Sequence, residues 1–126
     1  MTASPPSPGR AAVLDLIRAA LADPTQEPAA ADALVGIALY DDDQVFAERC
    51  CIEVGSQAAS GSQMLGLAGL CLGHVARRFR HVSDDARALA ESLAARATAD
   101  PSDVDTRAID GLDDLHQFTQ PDITSR

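Results

Sequence analysis

Two apolar series in this sequence occur twice, forty residues apart. Phe46, Cys50 and Val54 recur as Ala86, Ala90 and Ala94; Met64, Ala68 and Leu72 recur as Val104, Ala108 and Leu112. Val75 likewise maps onto Leu115. Within each series the members are four residues apart, a spacing that lines up side chains on one side of an α-helix. Residues 44–83 and 84–123 therefore read as two copies of a helix–turn–helix unit. One such unit cannot bury its apolar side alone, so neighbouring hairpins must stack and share a continuous core. The fold class that follows is all-α.

The remaining segments fit between these units. Residues 1–9 hold Pro5, Pro6, Pro8 and Gly9, a composition that resists packing, and read as a disordered lead. Val13, Leu14, Ile17 and Leu21 then recur at helical spacing, and Asp23-Pro24 stops that helix. Pro28 suits the first turn of a second helix, which runs to about Tyr40. Gly55 to Ser62 and Asp100-Pro101-Ser102-Asp103 supply the turns inside the two copies. The expected organisation is one domain over 10–120, with hairpins at about 10–41, 42–81 and 83–118 and a flexible tail at 121–126. The helix at 63–79 is apolar nearly all round, as a central helix requires. Its Gly66, Gly69 and Gly73 each cost about 1 kcal/mol against alanine, so they predict close backbone approach to a neighbouring helix. A floor scooped out for a ligand is the alternative.

These residues also carry a resemblance. The segment ADPSDVDTRAIDGLDDL resembles the second helix of a HEAT-type repeat, with its Asp-Pro turn, its Val, and its Arg three positions on. GLAGLCLGHVARRF resembles the same helix of the preceding unit, with Leu72-Gly73 at the usual Leu-Gly position. The resemblance spans roughly 42–118 and implies an α-α superhelix of about three helical hairpins, six helices in all. LYDDDQVFAERC followed by GLAGLCLGHVAR is further similar to small bacterial HEAT-like proteins, some of which are associated with immunity to polymorphic toxins. No catalytic residue travels with either likeness.

Composition narrows the function. The 126 residues carry 19 acids against 10 bases, a formal charge of −9, and every base is arginine. Phosphate binding is driven by Lys/Arg displacing counterions, so nucleic acid is not an expected partner. Aromatics at 3% leave few stacking platforms for bases or sugars. No apolar run approaches the roughly 20 residues needed to cross a bilayer, and MTASPPSPGR lacks the pattern of a secretory signal. No membrane partner and a cytoplasmic location are expected. Cys50, Cys51 and Cys71 make a poor disulfide framework and lack metal-ligand spacing, so they read as core residues. No cofactor or metal is expected. A lysine-free chain has no P-loop, and Gly61-Ser62-Gln63-Met64 is not a nucleophile elbow.

The candidate functional residues are charged. Asp103, Asp110 and Asp114 fall at helical spacing with Asp113 beside them, opposite Val104, Ala108, Leu112 and Leu115. Like charges so placed repel by roughly 0.2–0.5 kcal/mol per pair, and a partner bearing Lys/Arg would relieve them. Asp41, Asp42 and Asp43 read chiefly as caps for the helix that follows. Arg77, Arg78, Arg80 and His81 lie where cations complement a helix C-terminus, and His74 sits just before them. The expected partner-binding set is Asp41, Asp42, Asp43, His74, Arg77, Asp103, Asp110, Asp113 and Asp114. The expected function is a non-catalytic protein-binding module, of the immunity type, occluding a basic nuclease-like toxin. A self-associating scaffold, a homodimer covering an exposed face, is the second expectation; a metal-binding or enzymatic domain using His74 with Cys71 is the third.

Overall fold

The computed structural model describes residues 8–120 and contains six α-helices, with no strand among the described residues. They are α1 (Pro8–Ala22), α2 (Glu27–Tyr40), α3 (Gln44–Gln57), α4 (Gln63–Phe79), α5 (Asp84–Ala99) and α6 (Arg107–Thr119), with a single 3-10 turn at Pro24–Gln26. Residues 8 and 9, read as part of a disordered lead, instead form the first turn of α1, where proline loses no intrahelical bond. The rest of that lead, 1–7, and the expected tail at 121–126 lie outside the described residues.

Each helix touches the next helix and the one after it, and none further along. Three hairpins, α1–α2, α3–α4 and α5–α6, are thus stacked in order. The odd helices contact in series and so do the even ones. A closed bundle would bring first and last helices together; this arrangement does not. α4 is central, packed by α2, α3, α5 and α6, and buries eleven of its residues.

The forty-residue correspondence holds in burial except at Leu112, which is only half-buried where Leu72 is fully buried. Phe46, Cys50 and Val54 are buried in α3, and Ala86, Ala90 and Ala94 occupy the same positions in α5. Met64, Ala68 and Val75 are matched by the equally buried Val104, Ala108 and Leu115. The helix starts correspond too. Asp43 accepts the Phe46 amide at 3.1 Å, and Ser83, forty residues on, accepts the Ala86 amide at 3.1 Å. Ser62 caps α4 through the Met64 amide.

The copies differ where the last helix starts. The sequence spacing puts Asp103 on that helix, but α6 begins only at Arg107. Asp100 accepts the Ser102 amide and Asp105 the Arg107 amide, so successive turns hold the backbone out of helix until then. Val104 nonetheless stays in the core.

The glycines of α4 face α6. A methyl placed on Gly69 would lie 3.0 Å from the Ala108 Cα and Cβ, and one on Gly73 would lie 2.8 Å from the Gly111 carbonyl oxygen. The stripe is a tight helix–helix contact.

Candidate functional site

At the end of the stack where α2 passes to α3, the acid triplet is largely consumed internally. The Arg10 guanidinium grips Asp41 with two hydrogen bonds, Nε to Oδ2 at 2.9 Å and Nη2 to Oδ1 at 2.7 Å. The same Oδ1 accepts the Asp43 amide at 2.8 Å. The Arg10 hydrogen bond holds the Asp41 carboxyl below its usual range against the opposing effect of burial. Asp43 caps α3 and lies 3.8 Å from Arg10, whose guanidinium also covers the Phe46 ring. Asp42 alone is fully exposed, with Arg78 at 3.7 Å.

The C-terminus of α4 brings together three of the expected residues. Arg77 reaches Asp114 of α6 at 3.4 Å. His74, one turn earlier, feels both of them: burial and then Arg77 lower its pKa, while Asp114 raises it. Its Nδ1 is sealed from solvent and has no hydrogen-bond partner. Arg77 and Arg80 lie over the Phe118 ring, 5.5 and 5.0 Å from its centre. Arg78 donates to the Ala38 carbonyl at 2.9 Å, closing the last turn of α2. Arg80 terminates α4 in a left-handed conformation, φ 66°.

The acids assigned to the last helix divide. Asp103, in the α5–α6 connection, is held by Arg96 through two bonds of 2.8 and 2.9 Å and accepts the Ser60 hydroxyl. These bonds pull its pKa down to about 2. Asp114 is paired with Arg77. Asp110 and Asp113 are exposed, and neither has an ion-pair partner among the described residues. Neither α2 nor α3 touches α6, so the structure does not join the Asp41–Asp43 turn to these acids. Arg78 beside Asp42 and Arg77 beside Asp114 stand between them.

Sequence reasoning missed Glu48. On α3 it is the one buried charged residue of the described chain, accepting the Ser83 amide at 3.2 Å and the Gln44 carboxamide at 2.9 Å. A lone acid among alanine, arginine and cysteine gives no local signal of this, because its partner lies 35 residues away.

No group of three His, Cys, Asp or Glu side chains among the described residues is arranged to hold a metal ion. No helix there is long and apolar enough to cross a membrane. Comparisons with protein-family models, curated proteins and solved structures return no match to this chain.

Proposed function

We propose that this chain is a non-catalytic, HEAT-like protein-binding module whose α6 surface docks a basic partner protein in the cytoplasm. The observation that carries the reading is the state of Asp110 and Asp113. Asp41, Asp103 and Asp114 are committed to arginines of the same chain, whereas these two present uncompensated charge on the outermost helix of the described stack. Complementary Lys/Arg on a partner would gain attraction there and associate faster. Asp42, exposed at the far side of the Arg77–Arg78 cluster, is a secondary contact. A toxin whose phosphate-binding lysines and arginines are covered in this way loses its substrate, which is the mechanism of an immunity protein. The test is Asp110→Lys combined with Asp113→Lys, measured against a basic protein that co-purifies with the chain. An association rate reduced about tenfold, with a flatter salt dependence, supports the reading; an unchanged rate rejects it.

One observation favours self-association as a second reading. The outward flank of α2 carries Ala29, Ala33, Gly36 and the 78%-exposed Tyr40, with Asp32 its sole charge. A concentration-dependent dimer in sedimentation equilibrium that Tyr40→Asp abolishes would favour it.

A further inference from the structure

His74 is half-buried on α4, one turn before Arg77, and its two ring nitrogens have different surroundings. Nδ1 is sealed from solvent with no hydrogen-bond partner, whereas Nε2 is not sealed in this way. A neutral imidazole carries one proton, on either nitrogen. With that proton on Nε2, the sealed Nδ1 is a bare acceptor, which costs little. A second proton has to go on Nδ1, where it makes a charged donor with nothing to receive it. Burying an unpaired charged donor costs far more than leaving a neutral acceptor unmet. The protonated ring therefore does not keep this seat.

An acceptor is at hand on the next helix. The Asp114 Cβ lies 3.2 Å from where a methyl on Gly73, the neighbour of His74, would stand. The Asp114 carboxylate takes a single bond from Arg77, at 3.4 Å. Bonds between guanidinium and carboxylate usually span about 2.7–2.9 Å, and the two-pronged grips of Arg10 on Asp41 and of Arg96 on Asp103 fall within that range. Asp114 is held far less firmly than either of those acids. Two charges act on the ring: Arg77 opposes a proton there and Asp114 favours one. Among the described residues no charge from α2, α3 or α5 acts on it, and Arg78 is turned away to the Ala38 carbonyl and Asp42.

We infer that His74 is a proton-operated latch: on taking up a proton from solvent, the imidazolium turns out of its seat and takes Asp114 from Arg77. The tie between the end of α4 and α6 then changes hands instead of being lost. Acidification adds one cation beside Asp114 and leaves a second, Arg77, without its carboxylate, one turn from Asp110. The latch needs no partner protein, so it holds or fails independently of the docking read on α6.

The test is NMR of the full chain, with labelled histidine and arginine side chains, through the His74 transition. Above it, the ring is expected as the Nε2–H tautomer with a bare Nδ1. Below it, an Nδ1–H protected from exchange should appear, with contacts to the Asp114 β-protons. The Asp114 carboxyl and Arg77 guanidinium signals should shift in step with the ring. In His74→Gln both responses should be lost over the same pH range. Asp114→Asn should move the ring's transition to lower pH and abolish the protected Nδ1–H. His116, on the same helix as Asp114, is controlled by His116→Gln, which should leave every response in place. Arg77 signals that stay flat while the ring titrates, or an Asp114 shift that survives His74→Gln, would overturn the latch.

Discussion

Gly111 of α6 lies directly against the backbone of Gly69 in α4, and a methyl group on Gly111 would land on the Gly69 carbonyl. Alanine normally improves a helix interior by about 1 kcal/mol over glycine. Here the overlap is with backbone, which cannot rotate away, and forced overpacking of this kind costs about 1–3 kcal/mol. Gly111→Ala is therefore expected to destabilise by about 2 kcal/mol. Gly36→Ala in α2, where nothing lies within 4 Å of the new methyl, should instead stabilise by roughly 0.5–1 kcal/mol. Urea denaturation of the two variants checks both signs.

The three cysteines should be chemically silent in the native protein. All are buried; burial above all pushes the Cys50 thiol up to about 12, and Glu53 adds to it. Cys51 is held well above the ordinary thiol range by its hydrogen bond with Cys71 and by burial. The thiolate is the reactive form, and a thiol with a pKa near 12 is only about one part in ten thousand ionised at pH 8. A colourimetric thiol reagent is expected to find none of the three rapidly in buffer and all three at once in denaturant. Fast stoichiometric labelling of the native chain would show that the α3–α4 packing is wrong.

His74 makes stability depend on pH near neutrality. Its pKa is lowered in the folded state, first by burial and then by Arg77. The unfolded chain therefore binds the proton more readily, and stability rises with pH across the window between the folded value and the ordinary 6.5. The contribution is fully present above about 6.5 and is lost as the pH falls toward the folded value. His74→Gln removes the proton linkage. Its denaturation midpoint should fall less than the wild type's between pH 7 and pH 5; parallel slopes would exclude His74 as the source.

Much of the fold was legible because it rests on short-range pattern. The four-residue spacing of Phe46, Cys50 and Val54 and the apolar stretch from Met64 to Gly73 define helices without knowledge of the tertiary structure. The repeat then supplies which helices must stack. The site was less legible because charge alone does not say whether an acid is free. Asp41 and Asp110 are both aspartates on a surface, yet one is gripped by Arg10 from 31 residues away and the other is unpaired. Asp103 illustrates the same limit at a boundary. Its spacing to Asp110 fits a helix, but side-chain turns at Asp100 and Asp105 precede the helix, which starts at Arg107.

Asp103 gives the last prediction. It ties the α3–α4 loop to the α5–α6 connection, through the Ser60 hydroxyl, and both to α5 through Arg96. Its backbone carbonyl also accepts the Gly61 amide at 2.8 Å, so side chain and main chain act on the same loop. The carboxyl titrates near 2, below the ordinary 3.8, because both Arg96 and Ser60 donate to its ionised form. A depressed acid stabilises the fold above its unfolded value and loses that effect as the pH falls through the folded one. Asp103→Asn should therefore lower the denaturation midpoint at pH 7, and the gap to wild type should close between about pH 4 and pH 2. Hydrogen exchange should show the loosening at the Gly61 amide rather than in α4, since α4 keeps its own cap at Ser62. A gap that persists at pH 2 would mean that the asparagine acts through shape, and that the ionised pair with Arg96 does not hold the two loops together.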